Sequence, residues 1–278
     1  MVCLVSVKMS APLARRAAAS IAAAALLAGC TIPTAADNPT TSVAASTTAK
    51  ATPAAEQEPE PTLPLTGRVV FLDPGHSGYT TAAASDQVPT GRGGTKNCQT
   101  TGTSTDGGYP EHTAVFEIAE LVRADLQAQG ATVVLSRDDD ASPELCNNFR
   151  AEAADHAQAD AVVSLHADGA GPDQFGTYTS YSAPPLNDAQ SGPAINLATD
   201  LRDAFTASGF TPAAYSGQDG LMARDDLTGL NMSLRPTALL ELGNMRNAED
   251  SRMLTTPEGQ ARLAQAVALG ISNYLQSV

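Results

Sequence analysis

Four apolar runs constrain the fold of this chain. Arg68–Leu72, Thr132–Leu135, Ala161–Leu165 and Thr237–Leu240 are short, rich in β-branched or aliphatic residues, and read as strands. Between the first two, Val115, Ile118, Leu121, Val122 and Leu126 recur at helical spacing, and Gly130 is a suitable stop. Residues 143–158 read as a second helix, with Pro143 near its first turn. A third spans 192–208, with Ile195, Leu197, Leu201 and Phe205 inward. The last spans 257–276, with Leu263, Val267, Ile271 and Leu275 on one face. Gly176–Tyr181 alternates like a further strand, while 77–109 and 217–233 read as irregular. Strands alternating with helices predict an α/β domain with helices on both faces of its sheet.

The N-terminal quarter has another character. Arg15 and Arg16 precede Ala17–Ala28, which is apolar except for Ser20. A basic start and a short apolar core describe an export signal. It ends Leu27-Ala28-Gly29-Cys30, which resembles a bacterial lipobox in which the cysteine is acylated; a simple cleaved signal is the alternative. Residues 31–66 are dominated by Ala, Thr and Pro and hold no aromatic residue, too little apolar surface to offset ordering entropy. The expected organisation is a signal over 1–29, lipidated Cys30 with a tether over 30–66, and one catalytic domain over 67–278.

Net charge is -14, which argues against a nucleic-acid binder. Aromatics are 4% with no Trp, which leaves little for stacking bases or sugars. Cys3 falls in the signal and Cys30 in the lipobox, so Cys98 and Cys146 read as one disulfide of an exported domain; a thiolate metal site is the alternative.

The chemistry gathers at strand ends. His76 and His166 follow the first and third runs, and Glu241 follows the fourth. Active sites of open α/β sheets lie outside the carboxyl ends of their strands. Glu111 opens the first helix. Two imidazoles and one carboxylate form a common catalytic zinc set, and a second carboxylate can serve as base. Each residue also has a plain reading: a turn histidine, a strand-end hydrogen-bonder, a helix-start charge. Glu241 is the exception, since a carboxylate after a buried run needs a partner.

These residues lie in four ordered motifs: Asp73-Pro-Gly-His76-Ser-Gly; Glu111 with its helix, then Gly130, Val133 and Ser136-Arg137; Arg150 through Ser164-Leu-His166-Ala-Asp168; and Pro236 through Leu240-Glu241-Leu-Gly243, with Asn247 and Glu249. In this the chain resembles the zinc-dependent N-acetylmuramoyl-L-alanine amidases of the Amidase_3 type, above all the compact actinobacterial and mycobacterial members, over about residues 67–277. The resemblance implies a single α/β domain with a twisted, mostly parallel mixed sheet. It implies one Zn2+ per chain on His76, Glu111 and His166, with Glu241 as general base. It also implies a Cys98–Cys146 disulfide. The implied reaction is hydrolysis of the amide joining N-acetylmuramic acid to L-Ala of the stem peptide.

The implied substrate is peptidoglycan or a muropeptide. A monomer is expected, exported to the cell envelope and touching the membrane only through its lipid. Two other readings are a non-catalytic wall-binding lipoprotein and a zinc peptidase acting within the stem peptide. The departures from the family pattern are Ser77, Asp168, Asn244 and Arg246, of which Asn244 and Arg246 are expected at the floor of the substrate groove. Arg224 is a candidate for a stem-peptide carboxylate, within a segment, Asp219–Ser233, that reads as a lid or an edge hairpin. Asp73 is expected to shape its turn or to orient His76. His112, beside Glu111, competes with it for the metal, and the family pattern favours Glu111; His112 then contacts substrate or lies exposed. His156 matches no functional position.

Overall fold

The computed structural model describes residues 62–278 apart from Glu144. The expected signal, Cys30 and most of the tether lie outside the described residues. The strands are β1 (Val69–Pro74), β2 (Gln87–Pro89), β3 (Thr95–Asn97), β4 (Thr132–Leu135), β5 (Ala161–Asp168), β6 (Tyr178–Ser182), β7 (Leu221–Arg224) and β8 (Thr237–Asn244). The helices are α1 (Glu111–Ala128), α2 (Asn147–His156), α3 (Asp188–Ser191), α4 (Pro193–Ala207), α5 (Thr228–Met232), α6 (Ala248–Thr255) and α7 (Pro257–Ser277). Six strands form one sheet in the order β4-β1-β5-β8-β6-β7. β4, β1, β5 and β8 are parallel, β6 runs against β8, and β7 lies parallel to β6. The expected mixed, mostly parallel sheet is therefore present.

Strand alternation sorts the two faces. Val70, Leu72, Val163, Leu165, Ala238 and Leu240 enter the main core with the apolar stripes of α1, α4 and α7. The intervening residues point the other way, where Phe71 and Val162 meet Ala154 and Ala159 around α2. That second core is small. Beyond it the same alternation presents Asp73, Ser164, His166 and Glu241, with Asp73 beside Ser164 and His166 beside Glu241 in register. The site thus occupies the face that the large helices leave open. The packed domain begins before residue 67, since Leu65 is fully buried and its N–H donates to the Gln129 carbonyl.

Several elements differ from expectation. The second helix starts at Asn147, not 143. Pro143 is bridged to Tyr79, and Cys146 is drawn out as the cap because it is bonded to Cys98. The Asn147 N–H donates to the Cys98 carbonyl, which fixes the same junction. The long loop after His76 contains the hairpin β2–β3. The 217–233 stretch is not irregular, and Asp219–Ser233 is not an edge hairpin: it holds β7, an edge strand parallel to β6, followed by α5. Asn247 caps α6, an unexpected helix, by accepting from Glu249 and Asp250 N–H groups.

The Cys98–Cys146 bond closes a loop over a sequence separation of 48. In the chain-entropy treatment such a closure contributes about 4 kcal/mol. Replacing both cysteines by serine is expected to lower the urea-unfolding free energy by a comparable amount. An unchanged midpoint and slope would show that the denatured chain is already constrained there.

Candidate functional site

His76, Glu111 and His166 come together from a turn, a helix start and a strand, and their ligand atoms lie within 4.8 Å of one another. His76 follows β1 with φ 59°, a left-handed backbone that a side chain with Cβ rarely adopts. Arg150 holds it there: its Nη2 donates to the His76 carbonyl at 2.8 Å. His76 Nδ1–H donates to the Thr100 carbonyl at 2.7 Å, which leaves Nε2 with a free lone pair facing Glu111. Glu111 is buried in the first turn of α1, where the helix dipole favours its charge. Its Oε1 is 3.1 Å from His76 Nε2 and 3.0 Å from His166 Nδ1, and it accepts from Ala167 N–H. Oε2 accepts from Thr103 N–H at 2.9 Å.

Burial would raise the Glu111 carboxyl and lower the His76 ring. The facing opposite groups win in both cases, so Glu111 is held below the usual range and His76 above it.

Two glycines allow this approach. A Cβ at Gly75 would lie 2.3 Å from His166 Cε1. A Cβ at Gly102 would lie 2.7 Å from Glu111 Oε2 and 2.8 Å from His76 Cδ2.

Glu241 stands beside His166 in register, and β8 continues past it to Asn244 rather than ending there. Its Oε2 is enclosed and has no hydrogen-bond partner. Burial, then the charges of Glu111 and Asp168, push its pKa well above the usual carboxylate value, against a weaker opposing pull from Arg224. A cavity of about 170 Å³ adjoins the site on this face, lined by His76, His166, Phe71, Val162, Leu239 and Thr228 among others.

Glu111, not His112, joins the donor cluster. His112 Nδ1 lies 2.8 Å from Asp140 Oδ1, and its backbone carbonyl accepts from Arg137 Nη2 at 2.7 Å. It is neither part of the donor cluster nor an exposed neighbour, because the two side chains leave α1 about 100° apart. His156 is exposed, 3.6 Å from Glu152. Asp73 acts on His76 indirectly: it pairs with Arg150 and accepts from Ser164 Oγ.

The expected groove residues fare differently. Asn244 is a correction. It has no exposed surface, and its amide nitrogen donates to the Gly171 and Gln174 carbonyls, so it holds a turn rather than the groove floor. Arg246 is exposed and pairs with Asp106 at 2.6 Å. Arg224 pairs with Asp226.

Arg150 and Asp168 stand at the two ends of the third motif, but their contacts had no sequence signal. Arg150 is a buried node that donates to Asp73, Pro74, His76 and Leu145. Asp168 accepts from Tyr178 Oη at 3.3 Å and Tyr215 Oη at 3.1 Å. Burial raises the pKa of both phenols, and the Asp168 charge adds to it, so they stay protonated donors.

Burial alone would raise the Asp73 carboxyl. Arg150 and the hydrogen bonds outweigh it and hold its pKa at about 2, against 3.8 ordinarily. A depressed folded pKa contributes stability above the unfolded value and loses it as pH falls through the folded one. The contribution is about 2 kcal/mol. It is expected to be complete above about pH 5 and to fade toward pH 2. Arg150→Ala strands the buried carboxylate and is expected to cost about 3 kcal/mol or more at neutral pH. Urea unfolding from pH 2 to 7 checks both; a variant with wild-type stability at pH 7 would disprove the pairing argument.

Comparison with known proteins agrees with this geometry. The family described as Amidase_3, N-acetylmuramoyl-L-alanine amidase, matches residues 70–273. The N-acetylmuramoyl-L-alanine amidase Rv3717 of Mycobacterium tuberculosis is 48% identical over 211 residues, 76% of this chain and 88% of that protein. The crystal structure of the N-acetylmuramyl-L-alanine amidase Ami1 from Mycobacterium smegmatis superposes with a TM-score of 0.76 at 47% identity, covering 77% of this chain and 99% of that one. The amidase AmiC2 of Nostoc punctiforme gives 0.57 at 28% identity, covering 76% and 99%.

Proposed function

The chain belongs to the Amidase_3 family of N-acetylmuramoyl-L-alanine amidases, and we propose that it hydrolyses the amide between N-acetylmuramic acid and L-alanine of the stem peptide. One observation carries the reading. A carboxylate oxygen, Glu241 Oε2, is enclosed without a partner on the strand beside His166, one of three clustered donors. A buried acceptor in that condition is costly unless something meets it in the working enzyme.

The donor set fits zinc. His76 presents Nε2, His166 an imidazole and Glu111 a carboxylate, the nitrogen and oxygen ligands of open catalytic zinc sites. Bound there, zinc would polarise the scissile carbonyl and acidify a water. The chain's own residues do the rest. Thr100 fixes the His76 tautomer, and Thr103 and Ala167 fix the Glu111 carboxylate. Glu241 takes the proton of the attacking water at Oε2 and delivers it to the leaving amine of L-alanine. Burial and the charges of Glu111 and Asp168 raise its pKa, which favours its holding that proton between the two transfers.

Relatives whose names describe them as cell wall amidases support an exported or cell-envelope location. We add to it acylation of Cys30, a reach over the tether, and action as a monomer. The decisive assay incubates zinc-loaded protein with purified muropeptides and identifies the products by mass spectrometry. Free peptide beginning at L-alanine, with peptide-free glycan, is expected. Cuts inside the peptide would instead make it a stem-peptide peptidase. No cut by folded, zinc-bound protein would favour a binding role.

A further inference from the structure

Glu241 stands between two neighbours across the sheet. His166 lies opposite it on β5, and Tyr178 lies opposite it on β6. Opposed residues of an antiparallel pair share a face, with Cβ atoms about 5 Å apart. The carboxylate therefore has a member of the donor cluster on one side and a phenol on the other. Tyr178 is buried, with 7% of its surface exposed.

The direction of that phenol is fixed by its partner. Tyr178 Oη donates to Asp168 Oδ2 at 3.3 Å, and Asp168 belongs to β5, two strands away from β6. Neighbouring strands are about 4.8 Å apart, so the ring must lean across β8 to make this bond. Asp168 is paired with Asn244, so the crossing lies past Glu241, toward the carboxyl edge of the sheet. Tyr215 fixes it there. Its Oη donates to the same Asp168 oxygen at 3.1 Å, and its ring meets that of Tyr178 edge to face, 6.1 Å between centroids. Asp168 Oδ1 accepts from Gly169 N–H at 2.7 Å. Both oxygens of Asp168, a departure from the family pattern, are thus engaged in anchoring, outside the donor cluster.

We propose that Tyr178 is a positioning residue for Glu241: anchored on Asp168 and Tyr215, its phenol walls the catalytic carboxylate in beside His166 and keeps it from swinging away. The enclosure of Glu241 Oε2 is what such a wall produces. A glutamate side chain has several rotamers, and a displacement of about 1 Å in a reacting group costs about a hundredfold in rate. The anchor suits the task, because hydrogen bonds to a carboxylate are stronger than neutral ones. The role rests on the amidase reading above.

The test measures kcat and KM of the zinc-loaded protein on a soluble muramyl peptide. Tyr178→Leu fills the strand position but is too short to cross β8. It is expected to lower kcat by about a hundredfold, with KM within about threefold of wild type and metal content unchanged. In the Glu241→Gln background the same change is expected to cost less than about threefold, because the group it positions is gone. Tyr178→Phe keeps the ring and loses the anchor, for an expected loss of about fivefold in kcat. Asp168→Ala is expected to match it, the two losses not adding in the double variant, and Asp168→Asn, which keeps an acceptor, to recover most of the loss. A kcat within threefold of wild type in Tyr178→Leu, a loss carried by KM, or an equal loss with and without Glu241 overturns the proposal. Should Tyr178→Leu not fold, the Tyr178→Phe and Asp168→Ala pair decides, and additive losses count against it.

If the wild type cuts nothing, the amidase reading fails separately, and the wall is read without turnover. Carboxyl groups are amidated with glycinamide and a water-soluble carbodiimide, and labelling at Glu241 is followed by peptide mass spectrometry. Labelling at least tenfold faster in Tyr178→Leu, or in Tyr178→Phe if only that variant folds, upholds the wall. Equal rates overturn it.

Discussion

Glu241→Gln is expected to slow release of the stem peptide by about a thousandfold, within the usual span for loss of a general acid–base group. The substitution is isosteric, so the β5–β8 pairing and the neighbours of Tyr178 are kept. It removes the one property the mechanism asks of this side chain, a reversible proton at Oε2. Glutamine also offers an N–H2 where Oε2 has no partner and where the Glu111 and Asp168 carboxylates face it. The amide therefore costs no repulsion, and the variant is expected to be at least as stable as the wild type. Metal content should be unchanged, because His76, Glu111 and His166 remain. The measurement is the initial rate of peptide release by chromatography, with metal content read on the same sample. A variant above a tenth of wild-type activity with metal bound would remove Glu241 from the proton transfer.

What the amino-acid sequence made legible, and what it hid, follows from the range of the contacts. β1, β5 and β8 are buried on at least one face, β4 is a half-buried edge strand, and all four carry continuous aliphatic runs, so they are visible locally. β7 is four residues after a glycine and owes its existence to pairing with β6. α6 is mostly polar, with one fully buried residue, Leu254, and is declared by its Asn247 cap rather than by apolar spacing. His76, His166 and Glu241 are legible because each follows an apolar run. Asn244 was misplaced because its distance from Glu241 says nothing about the 171–174 turn that encloses it. Arg150 is 77 positions from Asp73, and Tyr215 is 47 from Asp168, so no local pattern announces either contact.

Glu111 is the residue whose loss is expected to undo the proposed metal site most completely. Its Oε1 faces both imidazoles and the Ala167 amide, and its Oε2 holds Thr103 on the loop that also supplies the Thr100 carbonyl to His76. Losing a histidine removes one donor; losing this carboxylate removes the negative charge and the order of the other two. Glu111→Gln keeps the volume but presents a neutral amide, so two neutral imidazoles are left to hold a dication without a compensating charge. Zinc affinity is expected to fall about a hundredfold or more, and peptide release with it.

Stability gives a readout independent of turnover. A ligand at a hundred times its Kd adds about 2.7 kcal/mol to the folded state. Zinc should therefore raise the wild-type melting temperature and leave that of Glu111→Gln nearly unmoved at the same concentration. Chelator should reverse the wild-type shift. Glu111→Ala is the harsher change, because it also frees the Thr103 and Ala167 amides and is expected to loosen the 100–103 loop. Glu111→Gln retaining one zinc per chain after dialysis against chelator, with a wild-type thermal shift, would transfer the ligand role away from Glu111.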